Sequence, residues 1–464
     1  MFRLEDIARE TKGRIIQGAR TANIGVICTD SRKIKKREAF LALRGERFNG
    51  HDFISSAIKK EAKALIIEER YFKKEPNIVK GLRADISCII VADTLRALGD
   101  LAHANRNKFR IPIIAVTGSS GKTTTKEMIA KVLSARYRTL KNEGTQNNLI
   151  GVPLNLLRLN TNHQLACLEF GMSLPGEISR LTQITKPTLG VITNIGQAHL
   201  ENLKSKRGVF KEKGSLLKGL KAPAAGLINY DDPYLRTLAT KYRKVFSFGL
   251  KKSCDFSART VSFDRYGVSF KLAKTKQRFA IKSFGVHNIY NALAAIAVGT
   301  IFGISQSSIA KRLKYFKFPR GRFVYSKKGR LEIIDDTYNA NPLSLKYALQ
   351  SFSAIKRGGR KILVLADMLE LGSQAACLHR QAGRLLNDSD IDYILTIGGL
   401  AHIAASSSIK YGFKKNKVYQ SQDFTDLKIK LSSLLRGGDL ILVKGSHAMR
   451  MERIVIFLRN MSKE

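Results

Sequence analysis

Apolar residues along this chain fall into short runs rich in Ile, Val and Leu, separated by longer stretches with helical spacing. Short apolar runs bounded by Gly, Asn, Asp or Ser and joined by helix-length segments mark a parallel α/β sheet, whose strands are buried on both faces. At the start, the pattern predicts a helix over Leu4–Thr11, strands at Gly25–Cys28, Ala39–Leu43, Ala64–Ile67 and Ile86–Ala92, and a helix over about Asp52–Lys60. A linker helix around Leu95–Ala104 follows. Next come strands Ile113–Val116, Leu165–Phe170 and Leu189–Thr193, with a helix from Lys122 to about Ala135. Lys206–Lys221 has helical spacing and many basic residues, and taken alone predicts a solvated charged face. From about Val245 to Phe284 the alternation changes to period two, with a turn at Asp264-Arg265-Tyr266-Gly267, predicting an antiparallel insertion. An Ala-rich helix starts near His287. Finally Leu331–Ile334, Ile362–Leu365, Tyr393–Ile397 and Leu440–Val443 alternate with helices, as in a doubly wound Rossmann-like domain without G-x-G-x-x-G. The fold class is therefore α/β in three domains. They are a small α/β domain over 1–93, a central phosphate-loop ATPase domain with a mostly parallel sheet and a β-rich insertion over 94–318, and a Rossmann-like domain over 319–464.

Around Ile113–Val116 the pattern becomes chemical. Thr117, Gly118, Ser119, Ser120 and Gly121 turn sharply into Lys122, Thr123 and Thr124, which open a helix. Glycines let backbone N–H groups close on an anion, and the helix N-terminus adds partial positive charge. Lys122 suits β/γ-phosphate oxygens and the Thr123 hydroxyl suits Mg²⁺. The spacing is G-x-x-G-K-T, tighter than the general phosphate loop, since Val116 stands where that pattern has its first glycine. A plain Gly/Ser turn is the bland alternative, and Lys-Thr-Thr in register after a buried strand argues against it.

Composition narrows the partners. Lys and Arg number 81 against 37 Asp and Glu, a net charge of +44 that favours anionic ligands. The basic residues are spread over the whole chain, with no Arg-rich tail, aromatic RNA-binding run or zinc-finger spacing, so nucleotides and phosphorylated substrates are preferred to nucleic acid. Cys28, Cys88, Cys167, Cys254 and Cys377 lie far apart, which predicts reduced thiols rather than a disulfide framework or zinc site. The charged N-terminus and the lack of a long apolar stretch predict a cytoplasmic protein without membrane insertion.

Several polar loops follow predicted strands. Thr29-Asp30-Ser31-Arg32 is an Asx-type turn or a ligand site with equal justification, and Arg44–Asp52 is a Gly-punctuated loop before a helix. Asn142–Asn148, with Asn147 and Asn148, offers amides to a polar ligand or forms an ordinary turn. Glu169 and His199 follow strands whose carboxyl ends share an edge with the phosphate loop, so both are placed to meet a metal–nucleotide; a lone His there is also an ordinary capping or packing residue. Asn288 and Asn291 share one helix face, where they read a purine edge or cap the helix. Asp335–Pro342, Asp367–Gly372 and Lys444-Gly445-Ser446 sit beyond strand ends in the last segment, marking a substrate crevice.

Together these motifs resemble the ATP-dependent Mur ligases. The likeness rests on TGSSGKTTTKE at 117–127, EFGMSLPGEI at 169–178, TNIGQAHLE at 193–201, GVHNIYNALAA at 285–295, DDTYNANP at 335–342 and ADMLELG at 366–372, with DSR at 30–32 and GHDFI at 50–54. The YNANP run favours the subtype joining D-alanyl-D-alanine to UDP-N-acetylmuramoyl-tripeptide through an acyl phosphate, a step in peptidoglycan precursor synthesis. The resemblance implies ATP and a pair of Mg²⁺ ions. It assigns Ser31, Asn147 and Asn148 to the UDP substrate, and Lys122 and Thr123 to ATP and one ion. Glu169 and His199 would serve the second ion, with Lys213 carrying a carbamate; Lys122, Lys213, His199 and Glu169 form its catalytic set. Asn288 and Asn291 would contact adenine, Arg322 and Asp336 would complete the nucleotide site on closure, and Asn339 and Asn341 would seat the dipeptide. A monomer and no nucleic-acid partner are expected. Ser215, Ala366, Asn49 and His447 depart from the family's usual Glu, Gly, Asp and Arg, and the first bears directly on Lys213. Two other readings are a related ligase joining a different amino acid and a basic phosphate-loop ATPase stimulated by nucleic acid.

Overall fold

The computed structural model describes residues 2–45, 48–242, 244–264, 267–273, 275–356 and 358–461. They pack as two compact units. One comprises Met1–Ile113, Leu140–Met172 and Glu177–Thr188, the other Ile114–Thr139, Ser173–Gly176 and Leu189–Glu464.

The first unit holds a five-stranded sheet in the order Arg14–Gln17, Ser87–Val91, Ala64–Glu68, Ala39–Leu41, Ile27–Cys28, with the first pair antiparallel and the others parallel. Every residue of Ala64–Glu68 and Ser87–Val91 is buried, which is why both read as unbroken apolar runs. Alternate side chains serve opposite faces. Ile66, Ile89 and Val91 pack with Leu4, Ile7, Leu98 and Leu101 of helices Leu4–Thr11 and Thr94–Asn107, whereas Leu65, Ile67, Cys88 and Ile90 pack with Ile54 and Ala57 of helix Ile54–Lys59. The longer helix starts where the Asp93 carboxylate accepts from the Arg96 N–H at 2.7 Å.

Two expectations change here. The strand predicted at Gly25–Cys28 divides into Asn23–Ile24, which pairs with Phe2–Arg3, and Ile27–Cys28 in the main sheet. At the break the Gly25 N–H donates to the Arg37 carbonyl, and a Cβ on Gly25 would lie 2.9 Å from that oxygen. Arg14–Gln17 gave no signal because it is an edge strand without a buried residue.

In the second unit a run of paired strands reads Arg278–Ile281, Gly267–Leu272, Phe256–Asp264, Val245–Gly249, Ala225–Asn229, Leu189–Ile192 and the phosphate-loop strand Ile113–Thr117. The antiparallel insertion is shorter than predicted. Val245–Gly249 pairs parallel with both neighbours, and antiparallel pairing is confined to the last three strands, 256–281. Ala225–Asn229, buried throughout, was not predicted. Arg265 and Tyr266 of the predicted turn, and Glu46 and Arg47 of the 44–52 loop, lie outside the described residues. Helix Lys122–Leu133 packs on the Ala-rich helix Val286–Ile301, where a Cβ at Gly299 would come within 2.6 Å of Val132; small residues permit this approach.

A six-stranded sheet completes this unit, in the order Val324–Lys328, Leu331–Asp336, Leu440–Lys444, Lys361–Ala366, Tyr393–Ile397, Val418–Ser421, parallel except for the first pair. The last strand in sequence, Leu440–Lys444, lies between the second and the third, Leu331–Asp336 and Lys361–Ala366. The loops at 335–342, 444–446 and 366–372 therefore leave adjacent strand ends together. Among the described residues no helix is long and apolar enough to cross a membrane, and the five cysteines are unpaired thiols.

Candidate functional site

The phosphate loop is held open from behind by its neighbour strand. Gly118 has φ 150° and Gly121 φ 80°. A Cβ at Gly118 would lie 1.9 Å from the Thr193 hydroxyl, and one at Gly121 2.5 Å from Asn291 Oδ1. Both positions need glycine for conformation and for space. The Ser120 N–H donates to Asn194 Oδ1 (2.9 Å), while the Ser120 carbonyl accepts from Asn194 Nδ2 (3.0 Å) and the Thr193 hydroxyl (2.6 Å). Ser119 Oγ and the Gly196 backbone exchange bonds of 2.8 and 3.1 Å. Lys122 Nζ, at the first turn of its helix, reaches back to the Gly118 carbonyl at 2.9 Å. The result is an anion cradle of fixed shape.

Residues from the last segment gather over it. Arg322 Nη2 donates to the Thr123 hydroxyl (2.9 Å) while its guanidinium stacks 3.5 Å from the centre of the Tyr338 ring. Asn341 caps helix Pro342–Ala354 through the Ser344 N–H (2.8 Å), and its Nδ2 donates to the Ser119 carbonyl (3.4 Å). Asp336 accepts from the Phe323 N–H and, at 2.6 Å, from Lys444 Nζ, which also donates to the Asn339 carbonyl. Burial pushes the Asp336 carboxyl above its ordinary range and Lys444 pulls it back in part. Ser120, Gly121, Thr124, Asn291, Arg322 and Asn339 line a common cleft here.

Asn288 and Asn291 are both buried and spent on the protein itself. Asn291 Nδ2 donates to Asn288 Oδ1, Asn288 Nδ2 to the Ser283 hydroxyl, and the Thr125 hydroxyl to Asn291 Oδ1, all within 3.0 Å. They brace the phosphate-loop helix. Their neighbour His287 packs edge-on to Phe323, and its Nδ1 has no hydrogen-bond partner among the described residues. Burial first, then the Lys444 charge, lower its pKa to about 3. Between pH 6.5 and 3 the unfolded chain therefore binds a proton that the folded one refuses, so stability falls with falling pH by about 1.4 kcal/mol per unit from this group. Urea unfolding of the parent and His287→Gln between pH 7 and 5 checks this: the variant should show the shallower pH dependence.

His199 sits in a left-handed conformation, φ 55°, at the start of helix Leu200–Leu203, and its Nδ1 lies 2.7 Å from Glu370 Oε2. That bond, with Lys122 nearby, holds the Glu370 carboxyl below its usual range. Lys213 corrects the reading of 206–221 as a solvated face. Helix Lys206–Lys218 buries Val209, Glu212, Lys213, Leu216 and Leu217, and Lys213 has no exposed surface. The Glu212 carboxylate accepts from the Gly176 N–H at 2.9 Å, and Ser215 turns back on its own helix.

In the first unit Glu169, at the end of strand Leu165–Glu169, is buried and clamped. Its backbone exchanges two bonds with the Asn142 amide, and its Oε1 accepts from Asn147 Nδ2 at 2.8 Å. Its Oε2 is buried and has no hydrogen-bond partner among the described residues. Asn148 caps helix Gly151–Leu156 through the Ile150 and Gly151 N–H groups. Asp30 and Arg32 make an Asx-type turn closed by a bidentate ion pair, and Ser31 between them is buried at the edge of a cavity of about 700 Å³ lined also by Phe40, Phe48, Gly50 and Phe53. That volume suits a nucleotide-sized ligand. The turn and the pocket are thus one feature.

Sequence reasoning gave no role to Glu370, Lys444, Thr193 or Asn194. Lys444 closes strand Leu440–Lys444 and the other three lie past strand carboxyl ends, all within motifs that were noticed, which was the available signal.

Three family models cover the chain: Mur ligase family, catalytic domain, over 23–106; Mur ligase middle domain over 116–299; and Mur ligase, glutamate ligase domain, over 320–447. The chain is 36% identical to the UDP-N-acetylmuramoyl-tripeptide--D-alanyl-D-alanine ligase of Bacillus subtilis, with 97% of each chain covered. It is 33% identical to the enzyme of that name from Escherichia coli, covering 95% of this chain and 94% of the other. Among solved structures, MurF from Acinetobacter baumannii aligns with a TM-score of 0.88 at 30% identity, covering 100% and 99% of the two chains. MurF from Thermotoga maritima, solved in complex with ADP, gives 0.83 at 27%, covering 94% and 98%.

Proposed function

The chain belongs to the Mur ligase family, and from that premise we propose that it joins D-alanyl-D-alanine to UDP-N-acetylmuramoyl-tripeptide with conversion of ATP to ADP and phosphate. The observation that carries this reading is the likeness over nearly the whole length of the D-alanyl-D-alanine ligases, with all three domains present in order. The residue ranges 1–93, 94–318 and 319–464 are proposed as the UDP-substrate, ATP and dipeptide domains.

The chemistry follows from a poor electrophile. A terminal carboxylate oxygen of the tripeptide attacks the γ-phosphorus, the β,γ-bridging bond breaks, and ADP leaves an acyl phosphate. The free amine of the dipeptide then attacks the acyl carbon, the amine gives up a proton, and the carbon–oxygen bond to phosphate breaks. Lys122 and the N–H groups at the start of its helix, 121–123, neutralise and orient the transferring phosphoryl group, while the Ser119 and Ser120 N–H groups are engaged with Asn194 and hold the loop in shape; this is most of what catalysis requires of the protein in the first half. Arg322 and Asn341 bring the dipeptide domain to that loop and exclude water from the acyl phosphate. Ser31 and its pocket hold the UDP group; Asn147 and Asn148 orient the first unit's carboxylate and helix beside it; Asn339 joins Asn341 in seating the dipeptide. Asn288 and Asn291, which the resemblance assigns to adenine, serve the nucleotide through the phosphate-loop helix they brace, since their amides are bonded to each other, Ser283 and Thr125, with Asp336 and its Lys444 partner on the ribose or phosphate side.

The donors present suit Mg²⁺. In the first unit Glu169 offers a buried oxygen without a hydrogen-bond partner among the described residues, and in the second Thr123 offers a hydroxyl, both the hard oxygen donors that Mg²⁺ takes. When bound, such an ion would supply charge neutralisation to the phosphates. His199 is the nitrogen donor of the set. A carbamate on buried Lys213 would replace an ammonium by an anion on the metal side. The reading makes this a cytoplasmic, monomeric enzyme of peptidoglycan precursor synthesis.

Purified protein with ATP, Mg²⁺, the UDP-tripeptide and D-alanyl-D-alanine should release phosphate and form the pentapeptide product seen by mass spectrometry. Omission of any component, or replacement of the dipeptide by D-alanine, glutamate or diaminopimelate, should leave only background. Amide formation with a single amino acid would move the chain to another branch of the family.

A further inference from the structure

Two residues with side chains are held in the left-handed backbone region on facing loops of the second unit: His199 at φ 55° and Glu370 at φ 63°. Such conformations are sparsely populated and persist where surrounding structure over-determines them. Here the two side chains meet, Nδ1 to Oε2, at 2.7 Å.

Each loop is independently fixed. The 193–199 segment is strapped to the phosphate loop through Thr193, Asn194 and Gly196, and the Ile195 N–H donates to Asp232 Oδ2 at 2.7 Å. The 367–372 segment is tied to its own sheet: the Leu369 N–H donates to the Ser446 hydroxyl (2.8 Å), and the Ala401 N–H to Asp367 Oδ1 (2.7 Å). Between them lies a small interface. The Glu201 N–H donates to the Glu370 carbonyl (3.3 Å) and Gln374 Nε2 to the Lys204 carbonyl (2.9 Å), while a Cβ at Gly372 would meet the Glu201 Cα at 2.9 Å. Nothing bulkier than glycine fits at that contact.

We propose that Glu370 is a positioning residue for His199, fixing its tautomer and tying the dipeptide domain to the phosphate-loop domain in the arrangement that reacts. With an ionised carboxylate on Nδ1, the ring proton belongs to Nδ1 and Nε2 is left as the nitrogen for the nucleotide–metal side, the arrangement that a carboxylate behind a ligating imidazole typically enforces. Because the carboxylate and the imidazole come from different domains, the imidazole is correctly set only when the two are docked. Activation of the tripeptide carboxylate is thereby coupled to closure over the dipeptide, which protects the acyl phosphate from water. The proposal rests on the ligase reading for its catalytic consequence, but the pair itself does not.

The test uses full-length enzyme labelled with ¹⁵N-histidine, with the His199 signals assigned by difference against His199→Gln. In the parent, His199 should show a protonated Nδ1. In Glu370→Ala that signature should be lost, kcat should fall about 10–100-fold, and KM for the UDP-peptide should stay within about two-fold. Glu370→Gln keeps an acceptor oxygen and should restore the Nδ1-protonated form and bring kcat to within about five-fold of the parent. Parent-like His199 signals in Glu370→Ala, or unchanged kcat in that variant, would overturn the proposal, and so would failure of Glu370→Gln to recover both. A parent that forms no amide bond while showing the expected His199 signals would sink the ligase reading and leave the pair standing.

Discussion

Lys122→Ala is expected to remove ATP-dependent amide formation, lowering kcat/KM by roughly a thousand-fold or more, while leaving the protein folded. The expectation follows from position and chemistry together. Lys122 opens helix Lys122–Leu133 directly after Gly121, and its ammonium lies on the Gly118 carbonyl at 2.9 Å, at the mouth of the loop rather than in the core. Alanine is the best helix former, so the first turn keeps its geometry. What disappears is the positive charge that moves with the transferring phosphoryl group, which no neighbouring group can replace from the same atom position. Arg322 is engaged with Thr123 and Tyr338, and Lys444 with Asp336. Coupled phosphate release gives the rate and a thermal melt the fold, whose midpoint should move by no more than about 3 °C. Near-normal turnover in a well-folded variant would contradict the assignment of 117–124 as the ATP cradle.

Much of this site was legible because parallel strands are buried on both faces and therefore announce themselves as apolar runs, with the polar residues that follow marking the functional edge. Ile113–Thr117, Leu165–Glu169, Leu189–Ile192 and Leu440–Lys444 were all found this way. The signal weakened at sheet edges, where burial is incomplete, although the fully buried strand Ala225–Asn229 was missed as well. Val324–Lys328 and Arg14–Gln17 are edge strands without a buried residue, and the edge strand Val418–Ser421 buries only Ser421. Val245–Gly249 misled for another reason. It precedes a genuinely antiparallel hairpin, and its alternation looks the same whichever neighbour it pairs with. Periodicity reports which face is buried, not the direction of the partner.

The pairings within the site were less legible than its members. Nothing in the spacing says that Asn291 and Asn288 bond each other, that Asn147 is turned onto Glu169, or that Asn148 is spent on a helix cap. These choices depend on residues distant in sequence that topology brings alongside. Lys213 is the sharpest case. A lysine in a run of basic residues is ordinarily solvated, and only the packing of helix Lys206–Lys218 against the sheet turns that position inward.

The second large effect concerns a residue with no side chain at all. Gly118→Ala is expected to abolish nucleotide binding and to destabilise the protein by about 2–5 kcal/mol. Two separate penalties meet there. The backbone is at φ 150°, outside the range an L-residue adopts readily, and the new methyl would stand 1.9 Å from the Thr193 hydroxyl and 3.2 Å from the Thr193 nitrogen. Relief requires parting the phosphate-loop strand from strand Leu189–Ile192 at the point where the Thr193 N–H donates to the Thr117 carbonyl and its hydroxyl to Ser120. Those bonds shape the cradle, so the fold and the site fail together. Gly144→Ala separates the penalties: it too has positive φ, 50°, but nothing lies within 4 Å of the added carbon. It should cost only about 1 kcal/mol and leave ADP binding intact. Adding Thr193→Ala to Gly118→Ala removes the clashing oxygen but not the backbone strain. Denaturant titration should therefore recover part of the loss in the double variant, whereas ADP calorimetry should still find no binding. Full recovery of binding would mean that the glycine was needed for space alone and that the loop's conformation is not what grips the phosphates.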